Sequence, residues 1–130
     1  MRLTKDVLCE DGFENRTDDG KIAGFNVRMR IPYYREVPLS LIGDILVRVD
    51  GVDYTGNDIL FEIHGGTFTL AEMPTVVRHR WNYGEKATIK VMKEGGLTPG
   101  VHHVEAYAKI RIAYMPSVEF AGGYADLRIA

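Results

Sequence analysis

The sequence predicts an all-β protein, an antiparallel β-sandwich of about seven to nine strands. Three observations support this fold class. Apolar and polar residues alternate with a period of two in several short segments. Turn signals containing Gly, Pro or Asp separate those segments at intervals of about 8–12 residues. No segment sustains a helical period. A chain of 130 residues falls within the size range of one domain, so residues 1–130 are expected to form a single sandwich.

The clearest predicted strand lies within residues 22–31, where apolar and polar residues alternate strictly from Phe25 onward. Residues 44–50 alternate again and lead into Asp50–Gly51, a pair that suits the positive φ angles of a tight hairpin turn. Further strands are predicted at residues 58–63, 66–70, 86–92, 104–112 and 123–129.

Two segments are not predicted to be strands. The polar run at residues 10–20 is expected to be a solvated loop, because it contains Asp, Glu, Asn and Gly and almost no apolar side chain. Residues 70–77 have room for one helical turn, which Pro74 is expected to end.

Composition excludes several function classes. The chain has 16 basic and 18 acidic side chains, a net charge of -2, and this balance argues against nucleic-acid binding. No apolar run approaches the ~18 residues of a membrane span, and the N-terminus does not resemble a signal peptide. A cytoplasmic protein is expected. Cys9 is the single cysteine, so an internal disulfide is impossible, and a packed, inert thiol is the expectation.

The sequence offers no recognisable catalytic or metal-binding motif. The four histidines do not have the spacing of a zinc site, and His102 and His103 are strand neighbours that point to opposite faces. They are expected to be partly exposed strand and loop residues. The chain also lacks a nucleophile elbow and a phosphate-binding glycine loop. We therefore expect no catalytic, cofactor-binding or metal-binding residue in this chain.

Two connecting segments have the composition of a recognition surface. PYYRE at 32–36 and RHRWNYG at 78–84 combine Tyr, Trp and Arg, the residue types enriched at interface hot spots. The candidate partner-interface residues are Tyr33, Tyr34, Arg35, Arg80, Trp81 and Tyr83. Two alternatives remain open: the aromatic rings cover the open ends of the sandwich, or they form a stacking platform for a sugar.

With these residues identified, the sequence resembles a known family, the small (β) subunit of the bacterial C-glycoside deglycosidases. The resemblance extends from about Lys21 to Pro116 through GFNVRMRIPYYREVPLSLIGDILVRVDG, RWNYGEKATIKVMKEGGLTPGVHHVE and IRIAYMP. Its most specific part is the YYR-x-x-PLSLI…VDG block at residues 33–51.

The resemblance implies an accessory subunit of a heteromeric carbon–carbon lyase. The partner would be a catalytic α subunit, a TIM barrel similar to sugar-phosphate isomerases, holding a divalent metal ion expected to be Mn²⁺. The substrates would be 3-oxo-C-glycosides of flavonoids and related aglycones. This chain would be non-catalytic, would contain no cofactor, and would stabilise the α subunit in a hetero-oligomer without contacting nucleic acid or membrane. The alternative is a stand-alone β-sandwich module that binds carbohydrate or protein.

Overall fold

The computed structural model describes residues 2–4, 7–31, 36–76, 79–82, 85–110 and 119–129. The strands are β1 (Arg2–Thr4), β2 (Glu14–Asp18), β3 (Lys21–Arg30), β4 (Val37–Pro38), β5 (Ile42–Val49), β6 (Val52–Tyr54), β7 (Ile59–Ile63), β8 (Gly66–Thr69), β9 (Arg80–Trp81), β10 (Lys86–Met92), β11 (Gly100–Ile110) and β12 (Glu119–Ile129). Three short 3₁₀ turns are Leu39–Leu41, Gly56–Asp58 and Met73–Thr75. The described residues contain no helix that is long and apolar enough to cross a membrane.

Two five-stranded sheets form the sandwich. The first sheet has the strand order β1-β12-β11-β5-β6, and the second has the order β2-β3-β10-β7-β8. Strands β4 and β9 form a separate two-stranded ribbon. Neighbouring strands are antiparallel except for β1 and β12. The predicted antiparallel sandwich is therefore confirmed, with more strands than the seven to nine expected because several are only two or three residues long.

The core lies between the two sheets and is built from the alternate residues of each strand. The inward side chains include Phe25, Val27, Met29, Ile45, Val47, Val49, Phe61, Ile89, Val91, Val104 and Ala106, each at most 3% exposed. These residues belong to the alternating segments that predicted the strands, because successive side chains of a strand point to opposite faces.

The predicted turns between strands are also confirmed. Asp50 and Gly51 have φ angles of 49° and 85°, as expected for the tight β5–β6 hairpin. His64 and Gly65, which join β7 to β8, have φ angles of 53° and 77°.

The expectation of a solvated loop at residues 10–20 is wrong for half of that run. Residues Glu14–Asp18 form β2, which pairs with β3 through a turn at Asp19–Gly20. Strand β2 lies at the edge of its sheet and its side chains are half-buried or exposed, so no apolar alternation marks it. The helical turn that was expected within residues 70–77 is present as the 3₁₀ turn Met73–Thr75. Pro74 lies inside this turn and does not end it, contrary to the expectation.

The topology brings several connections to one end of the sandwich. Strand β3 ends at Arg30 directly opposite the first residue of β10, Lys86. The chain then crosses from the second sheet to the first through β4 and enters β5 at Ile42. The β7–β8 turn lies at this same end of the second sheet, since β7 is antiparallel to β10. The β5–β6 hairpin lies at the other end of the first sheet.

Candidate partner-docking site

The described parts of the two segments that were predicted to contact a partner lie side by side. Val37 is paired with Trp81 and Pro38 with Arg80 in the β4–β9 ribbon. The Leu39 backbone N–H extends this pairing by donating to the His79 carbonyl at 3.0 Å. We call residues 36–39 and 79–82 the docking ribbon. Its backbone is fixed by hydrogen bonds between segments about 40 positions apart in sequence.

The docking ribbon has an outer and an inner face. Arg80 points outward, and its Nη1 lies 3.3 Å from Oε1 of Glu36, with both side chains about half exposed (53% and 52%). Trp81 points inward and is completely buried. Its ring meets Phe61 edge-on at a centroid distance of 5.2 Å, and its Nε1–H donates to the Glu85 carbonyl at 2.8 Å.

The predicted interface residues therefore have different positions. Arg80 is exposed as a partner contact requires, whereas the Trp81 ring is part of the core and offers no surface to a partner. The alternative that aromatic rings cover an end of the sandwich describes Trp81 well. The remaining predicted residues, Tyr33, Tyr34, Arg35 and Tyr83, lie outside the described part of the chain.

Glu85 connects the docking ribbon to the β7–β8 turn. One oxygen of its carboxylate accepts the Asn82 backbone N–H at 3.1 Å, and the other lies 2.8 Å from Nε2 of His64. The His64 ring lies 5.7 Å from the His79 ring, which in turn lies 5.5 Å from Phe68. The half-buried and exposed side chains of the β7–β8 hairpin thus extend the surface around Arg80. Sequence reasoning missed this extension, because nothing local links residue 64 to residue 85.

A different arrangement surrounds His102 at the opposite end. Its Nδ1 lies 2.6 Å from the Asp50 carboxylate and its Nε2 lies 2.7 Å from the Thr98 carbonyl oxygen. Both partners are acceptors, so this arrangement favours the cationic imidazole, in which both ring nitrogens are protonated. The hydrogen bond to the Thr98 carbonyl and the Asp50 carboxylate raise the pKa of His102.

This buried position corrects the expectation that all four histidines are partly exposed. His102 is 8% exposed, while His103, its neighbour in β11, is exposed. The two side chains do point to opposite faces, as predicted. His102 ties the start of β11 to the β5–β6 hairpin, so its role is structural. Within the described residues, no group of three or more His, Cys, Asp or Glu side chains is arranged to hold a metal ion.

Comparison with known proteins identifies similar chains. A family model for the C-glycoside deglycosidase beta subunit matches residues 3–114. A C-glycoside deglycosidase beta subunit from Eubacterium cellulosolvens is 32% identical over 117 residues, which cover 89% of this chain and 80% of that protein. A 3'-dehydrocarminate deglycosidase beta subunit from a Microbacterium species is 32% identical over 94 residues, 72% of this chain and 70% of that protein. A C-glycoside deglycosidase beta subunit from Arthrobacter globiformis is 28% identical over 93 residues, 71% of this chain and 70% of that protein.

Proposed function

This chain belongs to the family of C-glycoside deglycosidase beta subunits, and from that premise we propose that it is a non-catalytic subunit that binds a catalytic α subunit through the docking ribbon. The observation that carries the proposal is the pairing of β4 with β9, which fixes the exposed side chains of Glu36 and Arg80 beside each other. The name of the family already implies a second subunit in the enzyme.

The docking ribbon has the physical properties of a preformed binding surface. Backbone pairing and the buried Trp81 ring hold it in place before any partner arrives, so little conformational entropy is lost on docking. Arg80 and Glu36 form an exposed charge pair at 3.3 Å, which is worth little in water and can be exchanged for contacts with a partner. Arginine is also among the residue types that contribute most to binding energy at interfaces.

We further propose that the partner is a TIM barrel of the sugar-isomerase type that holds a divalent metal ion, Mn²⁺, and that the complex is cytoplasmic. The substrate would be a C-glycoside whose sugar is oxidised at C3, as in flavonoid C-glycosides. One relative named as acting on a 3'-dehydro compound supports an oxidised sugar. The C3 carbonyl acidifies the C2 hydrogen, and its removal as a proton allows the C1–aglycone bond to break by elimination. The aglycone leaves and takes up a proton. The metal of the α subunit would stabilise the enolate formed at C3.

The docking proposal is tested by measuring complex formation with the cognate α subunit. The wild-type chain should co-elute with it in size-exclusion chromatography. Arg80→Ala should weaken the complex about tenfold, the effect of losing an interface arginine worth more than ~1 kcal/mol. Tyr34→Ala tests the neighbouring segment in the same way.

Arg128→Ala is the matched control, because Arg128 is an exposed arginine on β12 in the first sheet. Its complex should elute like the wild type. Equal affinity of Arg80→Ala, Tyr34→Ala and Arg128→Ala for the α subunit would contradict docking through the ribbon. A wild-type chain that never binds the α subunit would favour a stand-alone binding module.

A further inference from the structure

A cluster of cationic side chains adjoins the docking ribbon on the outer face of the second sheet. Arg28 and Arg30 are the last two outward-pointing residues of β3, and Lys86 is the first residue of β10. We call these three residues the cationic corner. Lys86 directly follows Glu85, whose carboxylate accepts the Asn82 backbone N–H of the docking ribbon. The cationic corner therefore lies beside the docking ribbon at one end of the sandwich.

Two like charges are directly opposed within the cationic corner. Arg30 and Lys86 are cross-strand partners in the β3–β10 register. Like charges that lie directly opposite each other on neighbouring strands destabilise a sheet. Among the registers of the described strands, no other directly opposed pair brings two like charges together.

The outer face of the first sheet shows the contrasting arrangement. There, charged residues that face each other directly have opposite signs: Arg48 is opposite Asp53 and Glu105, and Lys109 is opposite Asp44. The second sheet follows the same rule diagonally in the ion pair of Lys90 with Glu62, at 2.7 Å. The opposition of Arg30 and Lys86 is thus a local exception in a chain whose net charge is -2.

The exposed carboxylate of Asp11 forms ion pairs with two residues of the cationic corner. Asp11 lies 2.7 Å from Nη1 of Arg28 and 3.2 Å from Nζ of Lys86, and the three side chains are 51%, 43% and 39% exposed. The hydrogen bonds to Arg28 and then Lys86 hold the pKa of Asp11 below its usual value. Asp11 is positioned by Gly12, where a Cβ would lie only 2.7 Å from Cδ of Arg28. The turn at residues 10–12 can therefore lie directly on the Arg28 stem.

We propose that the cationic corner receives an acidic patch of the α subunit, which docks across the corner and the ribbon together. This inference rests on the proposed function. Carboxylates of the partner would contact the three cations of the cationic corner. The cations would also steer the encounter, since complementary surface charges raise the association rate and make it depend on salt.

Association kinetics with the α subunit test the proposal, measured at ionic strengths of about 0.05 M and about 0.3 M. The association rate constant of the wild-type chain should fall as salt is added. Lys86→Glu should lower that constant about tenfold at low salt and flatten its salt dependence. Lys86→Gln should lie between the two. Arg128→Glu is the matched control: it makes the same change in net charge on an exposed residue of the other sheet, and should associate within about threefold of the wild type.

The outcomes separate this inference from the proposed function. Equal rates and salt slopes for Lys86→Glu and Arg128→Glu would overturn the acidic patch, and docking through the ribbon would still stand if Arg80→Ala weakened the complex. A wild-type chain that does not bind the α subunit would overturn both. Circular dichroism and thermal unfolding of each variant show that a slower association does not come from unfolding. If Lys86→Glu fails to fold, the smaller change Lys86→Gln decides the question by the same criteria.

Discussion

Trp81 is expected to stabilise the fold and to act on the partner only through the ribbon that it anchors. Its ring is completely buried against Phe61, and its indole N–H has a hydrogen bond to Glu85. Truncation of a large buried aromatic ring costs about 3–5 kcal/mol. The lost hydrogen bond contributes about 1 kcal/mol of this cost. Trp81→Ala should therefore remove about 4 kcal/mol from the free energy of unfolding, a large part of the ~5–15 kcal/mol that is typical of a domain.

Urea unfolding followed by circular dichroism measures this change. With a slope of about 2 kcal/mol per M, the midpoint of Trp81→Ala should fall by about 2 M at an unchanged slope. Trp81→Phe keeps an aromatic ring in the core but loses the hydrogen bond, so it should cost about 1–2 kcal/mol. Arg80→Ala, next to it on the exposed side, should cost about 0–1 kcal/mol. A Trp81→Ala midpoint within about 0.5 M of the wild type would refute the assignment of Trp81 to the core.

Four further predictions concern other parts of the sandwich. The folded-state pKa of His102 is raised above the unfolded value of about 6.5, so the stabilisation by the charged ring is complete below that pH and is lost as the pH rises through the raised pKa. Urea midpoints of the wild type should therefore fall between pH 6 and pH 9, and those of His102→Gln should fall less. An equally steep fall in His102→Gln would contradict this role of His102. Asp50→Asn should destabilise the chain most at low pH within that range, when His102 is charged, because a protonated imidazole then loses its carboxylate partner; thermal unfolding of this variant at pH 6 and at pH 9 checks the difference, and equal losses would contradict it. Gly122→Ala would place a methyl group 1.9 Å from a backbone oxygen of β11, so the variant should unfold at a clearly lower temperature than the wild type; an unchanged melting temperature would show that the β11–β12 spacing is wrong. The pKa of Tyr107 is raised to about 12 by burial and by its hydrogen bond to Glu105. In a spectrophotometric titration of Tyr107→Phe, the tyrosine that ionises at the highest pH in the wild type should therefore be missing.

The sequence predicted those parts of the fold that depend on neighbouring residues. Alternation over 86–92 gave the bounds of β10, and Asp50–Gly51 gave the hairpin, because burial of one face and positive φ are local requirements. Strand β2 was not predicted, because an edge strand buries few side chains and so shows no apolar alternation. Its one local signal was the Asp19–Gly20 turn, where both residues have positive φ.

The candidate site was predicted less completely, because its geometry depends on register between distant segments. Composition singled out residues 32–36 and 78–84, but it could not show that they pair with each other. It also assigned Arg80 and Trp81 the same role. Because residues 80 and 81 are neighbours in a strand, their side chains point to opposite sides. A strand of two residues is too short to show this alternation in the sequence. The contacts of Glu85 with His64 and of Asp50 with His102 likewise join residues 21 and 52 positions apart.

The proposed function assigns catalysis to another subunit and a supporting role to this chain. The most direct measurement is the cleavage of a 3-oxo-C-glucoside by the purified α subunit as this chain is added in increasing amounts. The isolated chain should release no aglycone, and the activity of the α subunit should rise and saturate as the complex forms. Full activity of the α subunit alone, unchanged by this chain, would contradict the proposed supporting role.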